Sequence, residues 1–217
     1  MITKYYEFQN STKILSGENA LENITHELLS FNAKNVLILS DNTLNKIGIV
    51  QKVVDALDLS QINIKETFLD IPADSSIEVI NTIVQLYNTH KCDSILAIGG
   101  GSVIDTAKGV RMTLSQEKDD ILDLEGCEMI NYGKHIPFIA IPTTSGTGSE
   151  ATLVAVILDN IRKVKMEFIS YYLLPDVAVL DVRMTISLPK RITAATRNGC
   201  TLPCNRKLHL FAKKSIK

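Results

Sequence analysis

The sequence predicts an α/β protein built around a parallel β-sheet. Three observations carry that expectation. Short, continuous apolar runs recur at Asn35–Ser40, Asp93–Ile98 and Ile136–Ile141, as expected of strands buried on both faces. Segments with apolar residues at helical spacing lie between them, and this alternation implies a parallel sheet with right-handed crossovers. The run from Ser94 passes directly into Gly99-Gly100-Gly101 and then a helix-like segment, which is a tight strand-to-helix junction.

The elements follow in chain order. Asn35–Ser40 is the first strand of this reading, and Asp41 stands at its end. Thr43–Leu57 has apolar Leu44, Ile47, Ile49, Val50, Val53, Val54 and Leu57 at helical spacing and predicts a helix. Gln61–Leu69 is a second strand. Asp74 or Ser75 is placed to cap a helix over Ile77–His90, whose Ile77, Ile80, Ile83, Val84 and Tyr87 keep a period near 3.6. Asp93–Ile98 is the next strand, and a helix is expected from Ser102, with Asp105 at capping-box spacing. Ser115–Lys134 is polar and reads as helix plus loop. Ile136–Ile141 is a strand ending at Pro142. Thr152–Leu158 and Val164–Ile169 flank Asp159–Lys163 as a β-hairpin, and Val177–Leu180 is a last short strand. Leu188–Pro189 with Arg191–Thr196 looks like the start of a helix, because proline suits the first turn.

The 217 residues carry 23 Lys+Arg against 24 Asp+Glu, a formal charge of −1. An evenly spread balance of this kind excludes a strongly basic nucleic-acid binder. The charge is not evenly spread. Arg197–Lys217 holds six basic residues and no acidic one, so the first 196 residues carry −7 and the last 21 carry +6. No apolar run approaches the ~18–20 residues of a membrane span, and MITKYYEFQN has no apolar core of a secretory leader. Cys92 and Cys127 are isolated, and Cys200 and Cys204 lie in the basic tail. This is not a disulfide framework, so a reducing cytoplasm is the expected location.

Two segments carry chemistry. In Ser94–Gly109 (SILAIGGGSVIDTAKG) the glycines let backbone N–H groups approach a phosphate, and a helix N-terminus adds partial positive charge. A plain tight turn is the alternative. Ile141–Thr152 (IPTTSGTGSEAT) matches G-x-G-x-x-A by letter. The β-branched stretch that follows is strand-like, whereas that fingerprint must open a helix. Its hydroxyls, at Thr143, Thr144, Ser145 and Thr147, are placed either to meet a nicotinamide or ribose or to form a polar surface loop. Asp41, at a strand end, suits an adenine-ribose diol and would repel a 2′-phosphate; it is equally placed to cap the following helix. His26, His90, His135 and His209 have no metal-binding spacing, and Cys200 and Cys204 lack a second ligand pair.

Together, GGGSVIDTAKG, IPTTSGTGSEAT, LPDVAVLD (Leu174–Asp181) and SLPKRITAAT (Ser187–Thr196) resemble the iron-containing (group III) alcohol dehydrogenase family. The resemblance spans about Lys13–Thr196. It implies a Rossmann-like NAD(P)-binding α/β domain, then an all-helical metal and substrate domain. It also implies hydride transfer between NAD, or NADP, and a small alcohol or aldehyde polarised by Fe²⁺ or Zn²⁺. It implies an assembly that is often homo-oligomeric, with no nucleic-acid or membrane partner. By position, Asp41 matches the adenosine-ribose contact. Gly100, Gly101 and Ser102 match the pyrophosphate loop, Thr143, Thr144 and Thr152 the nicotinamide side, and Lys165 a further cofactor contact. The domains expected are 1–181 for the cofactor, 182–196 for the start of the helical domain, and 197–217 as an aberrant tail.

The chain departs from the family after Thr196. The family continues GMDALxHAIE, whose Asp and His are its first two metal ligands, one helical turn apart. Here the segment is RNGCTLPCNR, with Gly199 at the Asp position and Pro203 at the His position. Neither side chain can ligate a metal, and Pro203 would break the helix. The later ligands would lie beyond Lys217. The expectation is therefore no metal site and no catalytic residue in this chain, and inactivity by itself. A non-catalytic nucleotide-binding module and a non-functional fragment are the alternatives. One permitted choice of codons for the segment is AGG AAT GGA TGC ACT CTC CCA TGC AAT AGA. Without their first base, and with the leading A of the Lys207 codon, they read Gly-Met-Asp-Ala-Leu-Ser-His-Ala-Ile-Glu, so a one-base frameshift near codon 197 is expected.

Overall fold

The computed structural model describes residues 10–125 and 133–186. The expected helix beginning near Leu188 and the tail from Arg197 lie outside the described residues. Among the described residues, eight strands and five α-helices follow one another as β1 (Lys13–Ser16), α1 (Ile24–Ser30), β2 (Asn35–Leu39), α2 (Asn42–Lys46), α3 (Ile49–Ala56), β3 (Asn63–Phe68), α4 (Ile77–Thr89), β4 (Ser94–Gly99), α5 (Gly101–Ser115), β5 (Phe138–Pro142), β6 (Val154–Asp159), β7 (Val164–Ile169) and β8 (Val177–Leu180).

Six strands form one parallel sheet in the order β1-β8-β5-β4-β2-β3, and β6 and β7 form a separate antiparallel hairpin. The expected α/β class and the hairpin are both present. Successive side chains in a strand point to opposite faces, and the sheet buries both. Leu37, Leu39, Ile95, Ala97, Phe138 and Ala140 pack with α4 and α5 on one face. Val36, Ile38, Leu96, Ile98, Ile139 and Ile141 pack with α1 and α3 on the other. Each large apolar side chain buried this way contributes about 1.5–3 kcal/mol. The continuous apolar runs of the sequence are thus central strands covered on both sides.

Several boundaries differ from the sequence reading. The single helix expected over Thr43–Leu57 is two helices, broken at Gly48, which has φ +78°. That left-handed backbone is open to glycine at little cost and ends α2. The N-cap of α4 is Ser76, without a side-chain capping bond, and not Asp74 or Ser75. The Ser75 carbonyl instead accepts from Leu158 N–H at 2.7 Å, and Asp74 pairs with Lys165 at 2.7 Å. Ser115 ends α5, and among the described residues between it and Lys134 there is a short 3₁₀ turn, Ile121–Leu124, and no further α-helix. Strand β1 and helix α1 were not expected. They are joined by Lys13 Nζ on the buried Glu27 carboxylate, 2.7 and 2.9 Å from its two oxygens.

Candidate functional site: a groove at the sheet's switch point

The sheet grows outward from β2 and β4. Strand β3 follows β2 on one side, while β5 and β8 extend from β4 on the other. Ligands in open α/β sheets bind outside the carboxyl ends of the strands at such a switch point. A groove of about 820 Å³ lies there. Asp41 and Asp70 stand at one end of it, beyond β2 and β3, and Gly100, Gly101, Thr143 and Thr144 lie beyond β4 and β5. This is the size range of small-molecule and cofactor sites.

The glycine loop is built by close approach. A Cβ on Gly99 would stand 2.5 Å from Val103 Cγ2, and one on Gly101 would stand 2.9 Å from Thr147 Cγ2. A side chain at Gly99 would push the turn off the first turn of α5, and one at Gly101 would force the β4–α5 turn and the Thr143–Thr147 loop apart. Gly100 is the N-cap of α5, and no side chain caps the helix. Ser102 was expected to be that cap. It lies inside the first turn instead, and its hydroxyl donates to the Ala73 carbonyl across the groove. The start of this 15-residue helix therefore keeps backbone N–H groups without side-chain partners beside the groove, an arrangement suited to an anion.

Asp105 does not form the expected capping box either. Its carboxylate is buried behind the loop, where it accepts from Ser149 Oγ at 2.5 Å and from Val156 N–H at 3.1 Å. Burial raises its pKa, against the Ser149 hydrogen bond and nearby Lys108. Lys108, one turn on, is fully buried. Its ammonium donates to Thr152 O at 2.7 Å, Thr152 Oγ1 at 3.1 Å and Val154 O at 2.8 Å. Burial lowers its pKa to about 8, against the attraction of Asp105. These two side chains fasten the loop and hairpin to α5, and so set the spacing between the glycine turn and the hydroxyl-rich wall. The sequence reading passed over Lys108. Its only signal was an Asp–Lys pair at i,i+3 on the helix that follows the glycines.

Of the eight residues singled out, Asp41, Gly100, Gly101, Ser102, Thr143 and Thr144 line the groove. Lys165 lines an adjoining recess of about 190 Å³ with Gly101 and Ser102. Its ion pair with Asp74 joins two largely exposed side chains, so little free energy holds it there. Thr152 lines neither cavity and is held by Lys108. Asp41 does cap α2, accepting from Leu44 N–H at 2.9 Å, while also facing the groove. The two roles weighed for it are compatible. Ser149–Ala151 is a 3₁₀ turn capped by Gly148 and not the start of an α-helix, which agrees with setting the G-x-G-x-x-A letters aside.

Among the described residues, no group of three or more His, Cys, Asp or Glu is placed to hold a metal ion. No helix among them is long and apolar enough to cross a membrane.

Comparison with known proteins gives concordant results. The sequence profile described as iron-containing alcohol dehydrogenase matches residues 11–182. The chain is 37% identical over 171 residues to aldehyde-alcohol dehydrogenase 2 of Entamoeba histolytica, covering 74% of this chain and 20% of that protein. It is 34% identical over 182 residues to long-chain-alcohol dehydrogenase 1 of Geobacillus thermodenitrificans, covering 83% and 45%. Among solved structures, sulfoacetaldehyde reductase from Bifidobacterium kashiwanohense in complex with NAD⁺ superposes with a TM-score of 0.81 at 26% identity, covering 89% of this chain and 50% of that one. The chain spans less than half the length of these curated relatives.

Proposed function

The chain belongs to the iron-containing alcohol dehydrogenase family, and on that premise we propose that its groove binds NAD as the cofactor half of a hydride transfer between NAD(P) and a small alcohol or aldehyde. One observation carries the reading. The glycine turn at the side-chain-free N-terminus of α5 and the Asp41 carboxylate line a single groove at the switch point of the sheet. The pyrophosphate would lie on the N–H groups of Gly101 to Val103, and the adenine ribose would reach Asp41. Thr143 and Thr144 would meet the nicotinamide side, with Lys165 completing the cofactor contacts from the adjoining recess and Thr152 held beside them by Lys108. The nicotinamide ring supplies the hydride acceptor when bound. A relative whose structure holds NAD⁺ supports NAD as the ligand, and Asp41 favours NAD over NADP.

The described residues do not fit the family's Fe²⁺ or Zn²⁺, and in the sequence Gly199 and Pro203 stand at the first two ligand positions. In this proposal residues 1–181 are the cofactor domain, 182–196 begin the helical domain, and 197–217 are out-of-frame translation after a one-base frameshift near codon 197. The basic tail then has no nucleic-acid or membrane partner. A cytoplasmic location and homo-oligomeric assembly belong to the same proposal. Resequencing the locus tests the frameshift, and the idea fails if no GMDALSHAIE frame is found. Calorimetric titration of the chain with NAD tests the groove. Saturable binding that weakens in Asp41→Ala is expected, and heat indistinguishable from dilution would reject it. Assayed with Fe²⁺, NAD(H) and short alcohols, the chain should show negligible turnover; a rate within a few-fold of an intact relative would overturn that part.

A further inference from the structure

We propose that Asp70 is a second specificity-determining carboxylate at the ribose end of the groove, acting with Asp41 to reject a 2′-phosphorylated nucleotide. The inference rests on the reading that the groove takes NAD. Asp41 and Asp70 follow β2 and β3 and face each other across an isolated antiparallel bridge. Residues directly opposite in such a bridge put their side chains on the same face, with Cβ atoms ~4.5–5.5 Å apart. Both residues line the groove.

Each carboxylate has one oxygen engaged in holding local structure. Asp41 Oδ1 accepts from Leu44 N–H at 2.9 Å, and Asp70 Oδ1 accepts from Asn42 Nδ2 at 2.5 Å. Among the described residues, neither carboxylate is in an ion pair. No described lysine or arginine therefore makes a direct ion pair with the negative charge of this end. A ribose diol offers two hydroxyl donors to such a pair. A 2′-phosphate brings a charge of about −1.5 to −2 and only acceptors. With two like charges opposing it, removing one leaves the other in place, so loss of Asp41 alone does not open the groove to NADP.

The test is a set of calorimetric titrations with NAD and NADP on the full chain, using wild type, Asp41→Asn, Asp70→Asn and the double variant. Asparagine keeps the acceptor oxygen for Leu44 N–H or Asn42 Nδ2 and removes the charge, while the other carboxylate oxygen becomes an NH2 donor. The NADP-to-NAD affinity ratio should rise about tenfold on Asp70→Asn in either background, the size expected of one nearby like charge at the protein surface. Asp70→Lys should raise it further. A ratio that Asp70→Asn leaves unchanged in both backgrounds overturns the proposal while leaving NAD binding intact. Absence of NAD binding to the wild type would instead overturn the cofactor reading on which it rests, and the two failures are distinguishable.

Discussion

Removal of the Asp105 carboxylate tests how the loop and hairpin are held to α5. In Asp105→Ala, Val156 N–H and Ser149 Oγ lose their acceptor, and the buried Lys108 ammonium loses the carboxylate that favours its charge. An unsatisfied buried N–H costs about 1–3 kcal/mol, and an uncompensated buried charge costs about 3–5 kcal/mol. Partial relaxation reduces the sum, and a loss of about 4 kcal/mol is expected. That is a large share of the ~5–15 kcal/mol by which a domain is stable. Lys108→Met leaves the Thr152 and Val154 carbonyls without their donor and should cost about 2–3 kcal/mol. The double variant removes both charges together, so its loss should fall short of the sum of the single losses by at least about 1 kcal/mol. Urea unfolding of the four proteins, followed by far-UV circular dichroism with a common slope, measures the cycle. Additivity within about 0.5 kcal/mol would mean that the two side chains do not act as a pair, and the account of the clamp would be wrong.

Further outcomes are expected elsewhere. Phe138→Ala empties a fully buried position on β5 and should lower stability by about 3–5 kcal/mol in the same urea experiment; a loss below 1 kcal/mol would contradict the packing described. Gly48→Ala places a Cβ at φ +78° and should cost about 1 kcal/mol, read as a lowered melting temperature. Asp181 is held down to about 2 from 3.8, first by its hydrogen bond to the Arg183 guanidinium. Its stabilising contribution is therefore present above pH ~4 and is lost as pH falls through about 2, with at most about 2 kcal/mol involved. Stability against pH should fall more steeply for wild type than for Asp181→Asn across that window, and parallel curves would argue against the ion pair.

The central strands were legible in the sequence because they are buried on both faces, as the unbroken apolar runs before Asp41 and Gly99 show. The glycine loop was legible because three successive glycines after such a strand have a local physical meaning. The break at Gly48 was hidden, since Ile47 and Ile49 keep the apolar pattern running on either side of it. Strand β1 was hidden for the opposite reason. It is an edge strand, with Ile14 half exposed, and an edge strand needs no continuous apolar run. The Ser102–Asp105 spacing satisfied a local capping rule that tertiary contacts overrode. The hairpin draws Asp105 to Val156 and Lys108 to Thr152 and Val154, and no periodicity along α5 reveals a partner that lies 44 or more residues further along the chain. The site was thus readable where the backbone makes it and unreadable where side chains from distant segments brace it.

Hydrogen exchange of the full chain with and without saturating NAD tests the central claim most directly, because it reports where a nucleotide sits. The account predicts slowed exchange at the Gly101–Val103 amides and in the Thr143–Thr147 segment, with little change along β7 and β8. Unchanged exchange at the glycine turn under saturating NAD, or protection confined to other segments, would contradict it.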